Sequence, residues 1–155
     1  MEKKNISART QKRIARVADF LCGQSTLVLA TTTEPELPRA TPLFYLPGEA
    51  LDLYWLSSPR SRHSVNVAER EQASVAVCAP TFAWREIVGV QMVGTVAVIE
   101  GDERKPLLKQ YSERFHLGTI FSLAMQQSTL YRFQPRWLRY TDNRRHFGYR
   151  FEIDL

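Results

Sequence analysis

The residues best suited to chemistry lie in one short run, Ser57-Ser58-Pro59-Arg60-Ser61-Arg62-His63. It holds three hydroxyls, two guanidinium groups and an imidazole within seven positions. Ahead of it, Leu51, Leu53 and Trp55 alternate with Asp52, Tyr54 and Leu56, the period of two that marks a strand. Ser58 is a good N-cap and Pro59 suits a first helical position, so a helix is expected to begin there. Arg60, Ser61, Arg62 and His63 then fall in its first turn. A helix start already carries partial positive charge, so two arginines are poorly placed there unless an anion sits among them. Exposed amides, hydroxyls and guanidinium groups are together what a phosphate dianion requires. The plain alternative is a solvated basic turn whose arginines reach away from the helix end.

Other chemistries find less support. Cys22 and Cys78 are too few and too far apart for a disulfide framework or a metal knuckle. His63, His116 and His146 show no ligand spacing. The serines near His63 lack a recognisable orienting acid, so no nucleophile triad is read there. Cys78 itself reads as a small buried hydrophobe. The net charge is +5 and Arg outnumbers Lys sixteen to five. That composition favours an anionic ligand, since arginine suits two-pronged recognition of phosphate. The charge is spread along the chain without a block of like charges, so it speaks less for nucleic acid than for a small anionic ligand.

The elements that must hold this turn follow from periodicity. At 155 residues the chain reads as one domain with a real core, and residues 1–6 as a loose polar arm. No apolar run approaches a membrane span, and the charged N-terminus lacks an apolar signal region; a reduced, cytoplasmic setting is expected. Ser7 caps a helix to Cys22, with Ile14, Val17, Ala18 and Leu21 on one stripe and Gly23 at its end. Ser25–Thr33, Arg39–Leu46 and Leu51–Ser57 are expected to form an antiparallel meander. The turn between its first two strands is Glu34-Pro35-Glu36-Leu37-Pro38. Pro42 places the second strand at an edge or a bulge, where backbone groups stay free for a ligand.

Gln72–Ala79 follows as a small-residue strand, with Ala73, Val75, Val77 and Ala79 on one face. Glu86–Glu100 is a long strand, bent or bulged at Gly89 or Gly94 and crossing the centre of the sheet. Gln91 is its polar exception, expected to be buried and hydrogen-bonded to backbone or to a heteroaromatic ligand. Asp102 is expected to cap a helix to about His116, and a second short helix begins near Thr119. Ser128–Gln134 is a strand interrupted by Pro135 and resumed at Trp137–Thr141, and Gly148–Leu155 closes the chain with clean alternation. Six or seven mostly antiparallel strands with helices first and late give a mainly β, α+β fold. A small barrel is favoured because closure removes exposed edges.

With the strands placed, four pieces resemble the pyridoxamine 5'-phosphate oxidase-like, FMN-binding split-barrel superfamily, in its order. They are RATPLFYL, LYWLSSPRSRHSVNV, GVQMVGTV and the closing YRFQPRWLRYTDNRRHFGYRF. The likeness runs from about Ser25 to Phe151 and is nearest to the small bacterial members. It implies a six- to seven-stranded antiparallel split β-barrel and a homodimer with FMN at the subunit interface. Residue by residue, it implies that the backbone of Arg39, Ala40, Thr41 and Pro42 meets the flavin ring. Trp55 and Leu56 would border the cofactor, and Ser58, Ser61 and Arg62 would hold the FMN phosphate. Gln91 lies in the strand that supplies a ring contact in several members, though its register relative to Gly94 differs. Trp137, Asn143 and Arg150 would approach from the other subunit. Arg144, Arg145, His146 and Arg150 do not match the spacing that recognises pyridoxal phosphate, which argues against oxidation of pyridoxamine phosphate.

Two functions share this barrel: a flavin-dependent oxidoreductase acting on an unknown small molecule, and a non-catalytic flavin- or haem-binding sensor. Short members of the superfamily bind FMN, a deazaflavin or haem. A nucleic-acid-binding barrel ranks third. Tyr131 and Phe133 face opposite to Arg132 in strand alternation, the pattern of an ordinary half-buried strand.

Overall fold

The computed structural model describes residues 7–32, 37–118 and 124–155. The polar arm of residues 1–6, the Glu34-Pro35-Glu36 part of the first turn and the start of the helix expected near Thr119 lie outside the described residues.

Helix α1 spans Ala8–Cys22, and Ser7 caps it by accepting a hydrogen bond from the Thr10 amide. The stripe read from the sequence faces the core. Val17 and Leu21 are buried, with Ile14 and Ala18 packed beside them. Eight strands then form one antiparallel sheet: β1 (Thr26–Thr31), β2 (Arg39–Phe44), β3 (Leu46–Pro47), β4 (Leu53–Ser57), β5 (Gln72–Cys78), β6 (Val88–Ile99), β7 (Thr129–Asp142) and β8 (Arg150–Asp154). The spatial order is β2-β1-β5-β6-β7-β4-β3, with β8 on the far part of β7. Helix α2 (Arg62–Glu69) joins β4 to β5, and α3 (Arg104–Arg114) joins β6 to β7.

The run Arg39–Leu46, expected as one strand of a meander, is two strands. β2 and β3 sit at opposite ends of the sheet's order, yet only Tyr45 separates them in the chain. The sheet therefore curls until its ends share one continuous segment, the geometry of a split barrel. Tyr45 makes the corner. Its amide donates to the Ser25 carbonyl and its fully buried phenol donates to the Leu21 carbonyl at 2.7 Å, which ties the closure to the end of α1. Pro42 sits on β2, which pairs only with β1, so the expected edge position holds.

The sheet interior is apolar. Leu27, Leu29, Leu53, Trp55, Val75, Val90, Phe133 and Leu138 are all buried there. Fully burying one such side chain stabilises the fold by roughly 1.5–3 kcal/mol. Trp55 stacks on Tyr131 with ring centroids 5.7 Å apart.

Four further expectations need correction. Pro135 does not interrupt its strand; β7 runs through it. The pairing slips so that Val93 faces Trp137 and Gly94 faces Pro135, leaving Arg136 as the extra, exposed residue of a bulge. Only glycine fits at position 94, because a Cβ would collide with the Gln134 carbonyl. Gln91 is exposed, not buried, because it alternates with the buried Val90 and Met92 and faces outward. Cys78 is likewise exposed, on the outward side of β5. Finally, Gly101–Glu103 form a 3-10 turn and α3 starts only at Arg104, with Glu103 at its N-cap. The helix ends at Arg114, before His116, whose φ of 50° is left-handed.

Candidate anion site at the start of α2

Helix α2 begins three residues later than the sequence suggests. Ser58-Pro59-Arg60-Ser61 is a turn closed by the Ser61 amide donating to the Ser58 carbonyl at 3.0 Å. The Ser58 hydroxyl accepts from the Arg60 amide at 3.3 Å, so it caps this turn and not the helix. Ser61 is the N-cap, yet its side chain makes no capping bond; Val65 is the first residue whose amide reaches back into the turn, to the Ser61 carbonyl. The amides of Arg62, His63 and Ser64 are therefore the helix-start donors that lack an intrahelical acceptor.

Around them the side chains form a compact cluster. Ser61 Oγ lies 2.8 Å from Ser64 Oγ, 2.9 Å from the Ser58 carbonyl, 3.1 Å from His63 Nε2 and 3.2 Å from Ser57 Oγ. Ser57 Oγ is 2.7 Å from the same His63 nitrogen. A hydroxyl has one proton to give, so these bonds are alternatives and the hydroxyls can turn to serve another acceptor. His63 is buried, and burial pushes its pKa below the ordinary histidine value, so the ring is neutral at neutral pH. Both hydrogen bonds of the ring are between Nε2 and a serine hydroxyl, and among the described residues no carboxylate orients it, which speaks against a triad.

This donor set fits a phosphate. It offers three hydroxyls, one neutral imidazole and helix-start amides, and Arg62 is the first residue of the helix that begins there. Arg39 comes from the sheet side. It lies across from Thr31 on β1, and the Thr31 hydroxyl accepts from the buried Asn66 side chain of α2 at 3.1 Å. Arg39 thus shares with Thr31 the face of the sheet that the Asn66 side chain of α2 reaches.

The remaining residues singled out from sequence divide between the two faces. Thr41 points inward with Leu29 and Leu43. Ala40 and Pro42 point outward, opposite Ala30 and Val28. Gln91 stands on that same outer face, in the row Pro42–Val28–Ala76–Gln91–Arg139, three strands from Pro42. Trp55 is completely buried, with its indole N–H unpartnered, so only its backbone is available to a ligand. Leu56 is half-buried and lines a cavity of about 320 Å³ with Phe44, Tyr111, Phe115 and Met125. The structure therefore brings Ser58 and Ser61 together, with Arg62 next in the chain as the first residue of α2. It leaves Gln91, Ala40 and Pro42 on the opposite face.

Sequence reading underused Ser57, His63 and Ser64. Their signal was present in the spacing, since Ser61 and Ser64 are i, i+3 neighbours once the helix is started at Arg62. The cavity beside Leu56 had no such signal, because its walls come from β2, β4 and α3. Among the described residues no group of three or more His, Cys, Asp or Glu side chains is placed to hold a metal ion, and no helix is long and apolar enough to cross a membrane.

Known proteins place this geometry. A UPF0306 protein of Enterobacter sp. strain 638 is 25% identical over 135 residues, which cover 87% of this chain and 92% of that one. A conserved hypothetical protein of Mycobacterium tuberculosis superposes with a TM-score of 0.74 at 19% identity, covering 93% of this chain and 91% of that chain. HutZ, described as the haem storage protein of Vibrio cholerae, superposes at 0.66 with 20% identity over 78% of this chain and 88% of its own. These structural likenesses speak for the fold. The sequence profile of the family described as pyridoxamine 5'-phosphate oxidase matches residues 14–142, most of the chain, and the protein belongs to that family.

Proposed function

We propose that the chain binds FMN at the interface of a homodimer and works as a flavin-dependent oxidoreductase on a small molecule. The observation that carries this reading is the Ser57–Ser61–His63–Ser64 cluster beside Arg62, a phosphate-sized donor set at a helix start. In this reading Ser58, Ser61 and Arg62 hold the phosphate, with Arg39 approaching from β2. The open edge of β2 gives the backbone of Arg39, Ala40, Thr41 and Pro42 to the ring, and the ends of Trp55 and Leu56 border it. Bound FMN would supply the hydride and single-electron chemistry. The protein's part is to fix the ring, exclude water and tune its electronics through backbone donors.

The second copy is inferred from the outer face of the sheet. Pro42, Val28 and Ala76 line one row there, and Ala40, Ala30, Ser74, Val93 and Trp137 the next. Val28 and Val93 are 38% and 46% exposed on this face of a single chain. A contiguous apolar sheet face of this kind marks an interaction surface. A second copy laid on it would also give Gln91 a place at a shared site. Val93→Arg should turn a dimer into a monomer in sedimentation analysis and lower FMN affinity with it. A dimer that survives that change places the interface elsewhere.

Titration with FMN, followed by steady-state reduction of the bound flavin with NADH or NADPH, tests the main reading. Uptake of FMN and reduction by either donor is the expected result. Failure to bind FMN would sink it. Binding without reduction would move the chain to the non-catalytic reading. HutZ gives haem a specific claim as the second ligand, so the same titration is run with haemin. A Soret shift with no flavin uptake would replace FMN by haem.

A further inference from the structure

A second cationic centre lies away from α2, in a groove of about 360 Å³ between α1 and the hairpin that joins β7 to β8. Arg9, Lys12, Arg13 and Arg16 line one wall, and Arg145 and Tyr149 the other. The four α1 cations are spaced i, i+3, i+4 and i+7, so they share one helix face and repel one another. The first turn of α1 contains no acidic residue, and Arg9 stands at its positive end, where a cation is disfavoured. Among the described residues none of these five cations is paired with a carboxylate.

What holds them is aromatic. The Arg13 guanidinium sits over the Phe151 ring at 4.8 Å, and that of Arg145 over the Tyr149 ring at 5.2 Å. Arg16 donates through Nη1 to the Tyr149 hydroxyl at 3.3 Å. A guanidinium stacked on a ring keeps its in-plane N–H donors free for a planar or tetrahedral oxyanion. The side chains are thus oriented without being neutralised. A flat membrane surface fits a concave groove poorly. Stacked nucleic-acid bases lack a platform, because both rings already carry an arginine.

We propose that this groove is a binding site for a compact polyanion, a small molecule bearing a di- or triphosphate or an equivalent cluster of acidic groups. The site is separate from the FMN reading and stands or falls without it.

Calorimetric titration of the full chain with tripolyphosphate, pyrophosphate and orthophosphate is the test. Tripolyphosphate should bind at least tenfold more tightly than orthophosphate, with a steep loss of affinity as salt rises. The double variant Arg16→Gln/Arg145→Gln should weaken it at least tenfold. Lys12→Gln, at an exposed position remote from the core, should weaken it several-fold with an unchanged melting temperature. Arg62→Ala should leave it unaltered. Loss of binding in Arg62→Ala but not in the groove variants would overturn the proposal, because the anion would then sit at α2. Equal binding of the three phosphates would also overturn it. So would a single-stranded oligonucleotide that outcompetes tripolyphosphate more strongly as it lengthens, since the groove would then be part of a nucleic-acid surface.

Discussion

Two polar turns carry adjacent or near-adjacent arginines, Ser57–Ser64 at the start of α2 and Asp142–Tyr149 before β8, and they differ in what their polar side chains bond to. In the second turn Arg144 gives Nε and Nη2 to the two carboxylate oxygens of Asp142, at 2.9 and 3.0 Å. Asn143 donates to the Trp84 carbonyl and accepts from the Gly148 amide, which knots the hairpin to the preceding loop. Asp142, Asn143 and Arg144 are thus consumed internally, while Arg145 and Tyr149 of the same hairpin line the groove beside α1. In the first turn Ser57, Ser61, Ser64 and His63 bond to one another, and the hydroxyls can re-aim. An arginine bonded through two nitrogens to a buried carboxylate is part of the scaffold; hydroxyls bonded mainly to one another can turn towards a ligand. Asn143, which the family likeness implies approaches from the other subunit, is tied here to the Trp84 carbonyl and the Gly148 amide and braces the hairpin.

Crossed variants put that contrast at risk. Arg62→Ala should weaken FMN binding by about 1.5–3 kcal/mol, roughly ten- to a hundredfold, while the melting temperature stays where it was. Flavin titration and a thermal melt on one preparation read both. An Arg62→Ala protein that binds FMN like the parent would refute the phosphate assignment. Asp142→Asn should show the mirror image, a loss of about 1–3 kcal/mol in denaturant unfolding with FMN affinity intact. Any loss of affinity in that variant would mean the hairpin does more than brace the fold.

Acidity separates the turns more finely. The hydrogen bonds from Arg144, offset in part by burial, hold the Asp142 carboxyl below the ordinary range. Its share of stability is complete above the unfolded carboxyl value of about 3.9 and is lost as pH falls through the lower folded value. Asp142→Asn should flatten that acid limb. The smallest effect belongs to His63. Burial lowers its folded pKa beneath the unfolded value of about 6.5, so the unfolded chain binds the extra proton first. Its contribution is intact above about pH 6.5 and drains away as pH drops from there towards the folded value. His63→Gln should remove that slope from the stability profile, and a slope that persists would assign it to another group.

Much of the fold was legible because periodicity and capping are local signals. Ser7 and Gly23 bounded α1, the alternation of Ala73, Val75 and Val77 marked β5, and Gly94 marked a bulge. What stayed hidden depended on partners far along the chain. Nothing near Pro135 announces that Gly94 will slip the register and let a proline pass inside a strand. Gln91 looked buried because its neighbours are apolar, yet the sheet has two apolar faces and only one is the interior. The helix start was misjudged because Ser58-Pro59 satisfies capping rules as well as Ser61-Arg62 does. Only the Ser58 carbonyl accepting from the Ser61 amide resolves the tie.

Tyr45 gives the barrel a mechanical property of its own. The segment on either side of it is both the first and the last stave, so neither seam can gape without dragging the other. A blow at that corner, such as Tyr45→Ala, would slacken the β2 edge and the β4 wall together rather than one at a time. The two halves of the proposed cofactor berth are in this sense hung on a single hinge pin, anchored to the last turn of α1 by one phenolic hydrogen bond.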